Sequence, residues 1–233
     1  MAERRWRIKI PGTADMNTRH SNSAQDFSIV RANSQHLDGM VRCHIASFPG
    51  QFMTVVGARF IKGFYRFYLR ENAVLFVATG SSGIVVGLVC GGEAGLRQKF
   101  SRRRAPFYAP DIILGAIKND RARERLFHHL RSAAKGLLAS IARRGRSGKE
   151  LHDNTAHPPL SLLSICADPD FRGRGVGVAL MERFEQESRT LGYKLMRLSV
   201  HADNQAAINL YAKCGWERLY EADGGIYFRK RLG

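Results

Sequence analysis

A chain of 233 residues that is 44% hydrophobic holds enough apolar material for one domain of ordinary size with an elaboration, which excludes disorder throughout. Its four cysteines, Cys43, Cys90, Cys166 and Cys214, lie far apart with no Cys-x-x-Cys pair, so neither a disulfide framework nor a metal site is expected, and a reducing cytoplasm fits best. The formal charge of +17 is uneven: residues 1–93 carry +5, 94–159 carry +10 and 160–233 only +2, so the middle segment's cations are expected to serve a purpose of their own.

Residues 1–26 begin with Arg4, Arg5, Arg7 and Lys9 and then turn polar instead of apolar, which argues for a flexible tail and against a signal peptide. The longest apolar run, 83–92, is about half the ~18 residues that a membrane span requires, so no transmembrane segment is expected. A first strand is expected over 27–31, with Ser34 in the cap position before a helical stretch to about Phe48 that Pro49-Gly50 breaks. Across 51–70 the residues Phe52, Val56, Phe60, Phe64 and Phe67 fall about one helical turn apart. Strands over 73–79 and 84–91 flank the turn residues Gly80-Ser81-Ser82-Gly83 as a hairpin.

Some 66 residues, 94–159, then separate this hairpin from the next apolar strand at 160–167. They read as an insertion with a cationic run at 97–104, a short apolar piece at 111–117 and a helix over 121–142. That helix carries Leu126, Leu130, Leu137 and Ile141 on one face. Residues 145–159 are linker-like. The third, fifth and closing strands fit 84–91, 194–200 and a hairpin of 216–220 with 226–230 about Asp223-Gly224-Gly225.

Chemistry concentrates at 161–216. The strand 160–167 runs through Asp168-Pro169 into Arg172-Gly173-Arg174-Gly175-Val176-Gly177, and a long helix opens there. Glycines at alternate positions let a ligand approach the backbone closely. The helix start offers unpaired N–H groups and the positive end of its dipole, so the segment describes an anion site of pyrophosphate size. The Gly-x-Gly-x-x-Gly spacing of a dinucleotide loop and the Gly-Lys-Ser/Thr of a triphosphate loop are both absent.

Arg172, Gly175 and Gly177 match the acetyl-CoA motif Gln/Arg-x-x-Gly-x-Gly/Ala. Downstream, Asn204, Ala207, Leu210, Tyr211, Lys213, Gly215 and Trp216 match Asn-x-x-Ala-x-x-Leu-Tyr-x-Lys-x-Gly-Phe, with Trp216 in the Phe place. On these residues the chain resembles the GNAT superfamily of N-acetyltransferases, strongly over 160–220 and more weakly over 27–93. The resemblance implies an α/β fold: a mixed central sheet with splayed parallel strands flanked by helices, one domain over 27–233, here with the basic helical insertion 94–159.

It also implies acetyl-CoA as co-substrate, with pantetheine lying between the splayed strands against the backbone of Ile165 and Ala167. Arg172, Gly173, Arg174, Gly175, Val176 and Gly177 would hold the pyrophosphate, Asn204 would make a polar contact to the pantetheine arm, and Tyr211 would be the general acid toward the thiolate. Arg174 has an alternative as a solvated loop cation, and Tyr211 as a packed aromatic. Family members that acetylate protein N-termini often carry a Glu where this chain has Ser199, so the general base is open, with Glu93 and His201 as candidates.

The aromatics Phe48, Phe52, Phe60, Phe64, Tyr65, Phe67 and Tyr68 are expected to be mostly core, with one or two lining the acceptor pocket. The implied activity is acetyl transfer to a primary amine, tilted by Ser199 toward a small molecule such as an amino sugar. The rivals are a protein or peptide amine, and a non-catalytic module of the same fold that binds nucleic acid or an anionic membrane surface through the insertion. A homodimer is a further expectation for that insertion.

Overall fold

The computed structural model describes residues 26–71, 73–93, 95–118 and 158–233. The expected tail, the helix over 121–142 and most of the linker-like stretch lie outside the described residues.

Among the described residues, seven strands form one sheet: β1 (Phe27–Arg31), β2 (Val74–Gly80), β3 (Val85–Glu93), β4 (Leu160–Ala167), β5 (Leu195–His201), β6 (Glu217–Ala222) and β7 (Gly225–Arg231), in the order β1-β2-β3-β4-β5-β7-β6. Every neighbouring pair is antiparallel except β4 and β5. The helices are α1 (Leu37–Ser47), α2 (Phe52–Val56), α3 (Ala58–Arg70), α4 (Leu96–Arg103), α5 (Ala109–Lys118), α6 (Val176–Thr190) and α7 (Gln205–Lys213).

The period of two along each strand sorts side chains into two cores, one on each face of the sheet. On β2, Val74, Phe76 and Ala78 join Leu180, Met181 and Phe184 of α6. The intervening Leu75 and Val77 join Met40, Ile61 and Tyr65 of α1 and α3 on the other face. α6 lies hard against β3 because Gly87 and Gly91 carry no side chain: a Cβ on Gly91 would stand 2.4 Å from the Phe184 ring.

Three local features differ from the sequence reading. Asn33, not Ser34, caps the first helical turn: its side chain accepts from Gln35 N while His36 returns a bond to Asn33 N. The long helix expected over 51–70 is two helices, broken at Gly57, whose φ of 113° belongs to the positive region that ends α2. The apolar piece of the insertion is itself helical, as α5.

The described part of the insertion also completes a core instead of standing apart. Phe100 of α4 is buried at 4% exposure and meets Phe60, Phe64 and Phe67 of α3 edge-on at 5.3–5.7 Å.

Candidate active site

β4 and β5 are paired only at Leu160 with Met196 and Ser161 with Arg197. Beyond those residues the two parallel strands part. Residues opposed in an antiparallel pair alternate between exchanging both backbone bonds and exchanging none. Asp168 N–H donates to Val86 O at 2.8 Å on the β3 side, so the backbone groups of Ala167 and Ile165 turn the other way, into the gap left by β5. One group there is already engaged, as Ser47 Oγ donates to Ala167 O at 3.0 Å.

The chain leaves β4 through a short 3-10 turn, Pro169–Phe171, capped by the Asp168 side chain, and enters α6 at Gly175. Gly173 and Gly175 have φ of 75° and 83°, and a Cβ on either would meet no protein atom within 4 Å. The left-handed backbone therefore favours glycine, and the space above it is open. Gly175 offers no side-chain cap, so the first N–H groups of α6 face that space unpaired.

A cleft of about 640 Å³ unites these features. Of the residues expected at the cofactor, Ile165, Ala167, Arg172, Gly173, Gly175, Val176, Gly177 and Asn204 all line it. The Asn204 side chain also accepts from Ala207 N at 3.2 Å and so caps α7. Arg174 is not in the lining: its guanidinium lies 3.6 Å from Asp26 and 5.0 Å over the Phe171 ring. The opposite wall is Ser47, Phe48, Pro49 and Gln51, where α1 gives way to α2. Phe48 is thus the aromatic of the first helices that faces the cleft, while Phe60, Phe64, Tyr65, Phe67 and Tyr68 are buried in the core.

The expected catalytic residues are spread more widely. Tyr211 is 6% exposed, packs on Trp216 and Phe228, and does not line the cleft, although Ala207 and Leu210 of the same helix do. Burial, with the Cys214 thiol nearby, pushes its phenol well above the ordinary range and keeps it protonated. Glu93 ends β3 opposite Leu160, at the far end of β4 from the glycine loop, and accepts from Tyr193 OH at 2.9 Å. His201 is exposed at the end of β5 and pairs through its backbone with Gly225.

Sequence reasoning missed a buried polar chain on the α1 side of β4. His44 Nδ1 and Tyr65 OH lie 2.7 Å apart, and Tyr65 OH lies 3.4 Å from Ser164 Oγ, next in sequence to Ile165. Burial lowers His44 to about 4, so the imidazole is neutral near pH 7. Beside it, Cys43 and Cys166 thiols stand 3.9 Å apart. The only sequence signal for this chain is a His and a Tyr at inward positions of two helices, which any core histidine would share. Among the described residues, no three His, Cys, Asp or Glu side chains gather as a metal set, and no helix is long and apolar enough to cross a membrane.

A mixed seven-stranded sheet whose two parallel strands part in front of a glycine-opened helix is the architecture of the GNAT fold. Residues 138–216, about a third of the chain, match the Acetyltransferase (GNAT) family. The [ribosomal protein bS18]-alanine N-acetyltransferase of Salmonella typhimurium is 43% identical over 56 residues, 24% of this chain and 38% of that protein. The curated relatives matched are aligned over less than half of their own length, between 30% and 43% for the first four.

Among solved structures, the ribosomal-protein-S18-alanine N-acetyltransferase from Escherichia coli matches with a TM-score of 0.50 at 16% identity, covering 89% of this chain and 94% of that one. An agmatine N-acetyltransferase variant matches with a TM-score of 0.54 at 17% identity, covering 89% and 100%. At such identities these structures speak to the fold.

Proposed function

We propose that this chain transfers the acetyl group of acetyl-CoA to a primary amine by direct attack. The observation that carries the reading is the parting of β4 from β5. It leaves Ile165 and Ala167 with backbone groups turned into a gap, and the N-terminus of α6 closes the end of that gap as an anion site. The cradle fits the co-substrate: extended backbone for an amide-bearing arm, open space over Gly173 and Gly175 for phosphates, and Arg172 at the rim.

Acetyl-CoA supplies an activated thioester when bound. The protein's part is to hold that arm in extended register with β4 and to aim the Ile165 N–H at the carbonyl oxygen, an oxyanion donor of a kind worth about 3–4 kcal/mol elsewhere. The protonated Tyr211 phenol is the acid for the departing thiolate. The amine's proton passes to water in the cleft: Glu93 is at the far end of β4 and already bonded to Tyr193, and His44, lowered to about 4 by burial, is too weak a base to keep the proton near pH 7.

The acceptor enters past Phe48 and Pro49, and the absence of the N-terminal-acetylating Glu at Ser199 favours a small amine such as an amino sugar. A second reading, a peptide or protein amine, is favoured by the likeness of 56 residues to an enzyme named for acetylating an alanine of a ribosomal protein. A thiol-release assay with acetyl-CoA against amino sugars, di- and polyamines and Ala-starting peptides, with mass analysis of the product, tests both. Saturable release with one class assigns the acceptor. No release with any class, together with no acetyl-CoA binding by calorimetry, would sink the proposal.

A further inference from the structure

The charge on this protein is not explained by the cleft, whose cations are Arg172 and Lys213 and which lies mostly in the nearly neutral part of the chain. A second concavity, of about 230 Å³, sits on the outer side of α3 and shares no residue with the first. Its walls are Arg59, Lys62 and Arg66 of α3 with Arg104 and Phe107 from the α4–α5 segment, and its floor is Tyr108 over Gly63.

The floor is built for close contact. A Cβ on residue 63 would stand 1.7 Å from the Tyr108 hydroxyl, so only glycine lets that ring lie on the helix. Tyr108 is held from behind by Phe60 at 5.3 Å and Phe100 at 6.5 Å, and Arg59 stacks over it at 5.7 Å. Two of the four cations are answered: Arg59 by Asp111 at 2.8 Å and Lys62 by Asp38 at 2.5 Å. Arg66 and Arg104 have no carboxylate partner among the described residues. Phe107, beside them, is 69% exposed.

The site continues along the surface. Arg59, Lys62, Arg66 and Arg70 form one row of α3 about 16 Å long at 1.5 Å per residue. On α4, Arg97, Arg102 and Arg103 are exposed. A planar guanidinium matches a phosphate's oxygens in pairs, and an exposed ring next to it is a stacking platform for any base. The concavity is smaller than the ~300 Å³ or more of pockets that bury a whole small ligand, so it suits one unit of a longer ligand whose other phosphates lie along the row.

We propose that this face binds single-stranded nucleic acid without sequence preference, one phosphate between Arg66 and Arg104 with its base on Phe107, and further phosphates along α3 and α4. A lipid headgroup shares the phosphate. It would set its chains below the cations, however, whereas Phe107 and the two arginines border one concavity and reach a phosphate and a flat ring together.

The test is fluorescence anisotropy of the full chain with a labelled single-stranded 12-mer of mixed sequence over a salt series. The controls are circular dichroism and acetyl-CoA calorimetry, which should not change in these exposed-residue variants. Binding is expected in the wild type. The double variant Arg66→Gln/Arg104→Gln removes the one phosphate contact between them and should flatten the slope of log K against log salt by about 0.7, the value per phosphate contact on a single strand. Phe107→Ala should weaken binding about tenfold, within the range seen for loss of a base stack.

Unchanged affinity and slope in both variants would overturn the site. So would displacement of the 12-mer by adenosine monophosphate at equal molar concentration, which would reassign it to a free nucleotide. Binding through these residues to anionic phosphatidylserine vesicles but not to the 12-mer would overturn it in favour of a membrane surface.

Discussion

The two sides of the sheet solve different problems with different materials. The α6–α7 side works through backbone: parted strands, left-handed glycines and the open start of a helix, with few charges. The α1–α5 side works through side chains: a dense aromatic core below, and a row of arginines above. Backbone sites are written in local spacing and can be read directly. A side-chain surface depends on which residues the fold happens to bring together, so it declares itself only in three dimensions.

The contrast breaks most sharply if the insertion proves to be an ornament. Phe100 comes from the insertion yet fills the centre of the aromatic core among Phe60, Phe64 and Phe67. Phe100→Ala should therefore cost about 3–5 kcal/mol of unfolding free energy, the range for a large core ring removed. Urea denaturation measures this; a loss below about 1 kcal/mol would show that the α4–α5 segment merely rests on the domain.

Acid should weaken the same side. His44 has a folded value of about 4, below its ordinary 6.5. Between those values the unfolded chain binds the proton more readily, so stability rises with pH across the window, is fully present above about 6.5 and is lost as pH falls toward 4. The full effect is roughly 3 kcal/mol. Denaturation midpoints for wild type and His44→Gln at pH 7 and pH 4.5 test it, and parallel acid losses in both proteins would remove His44 as the cause.

On the backbone side, Gly175→Glu should weaken acetyl-CoA binding by at least about 100-fold. A side chain in the left-handed region costs about 1–2 kcal/mol, and the carboxylate adds repulsion to phosphate. Gly175→Ala carries the strain alone and should lose about tenfold or somewhat more. Calorimetry separates the two, and wild-type affinity in the Glu variant would place the pyrophosphate elsewhere.

What could be read in the sequence follows the same division. The strands and the glycine loop follow from hydrophobic alternation and glycine spacing, which act within a few residues of one another, whereas the parting of β4 from β5 and the places of Ile165 and Ala167 are expected only through the resemblance to the GNAT superfamily. The role of Phe48, the burial of His44 against Tyr65 and the meeting of Arg104 with Arg66 depend on contacts between residues tens of positions apart. The separation of Arg174 from the cleft lining also escaped the motif: adjacent loop cations look alike in sequence, and only the turn at Gly173 and Gly175 sends one to the cleft and the other to Asp26.

The smallest predicted effect asks whether the motif tyrosine belongs to the chemistry or to the core. Tyr211 packs between Trp216 and Phe228, and its ring serves that packing whether or not the hydroxyl does anything. Tyr211→Phe keeps the ring, so stability and acetyl-CoA affinity should stay near wild type. If the phenol delivers the proton to the thiolate, turnover should fall by at least about tenfold, toward the lower end of general acid contributions. Because burial holds the phenol well above its ordinary range, the wild-type rate should show no alkaline fall from this group up to pH 9. Steady-state turnover, calorimetry and a pH–rate profile of both proteins decide the matter: equal turnover would make Tyr211 a packing residue that shares the motif's spacing because α7 must seat against β7.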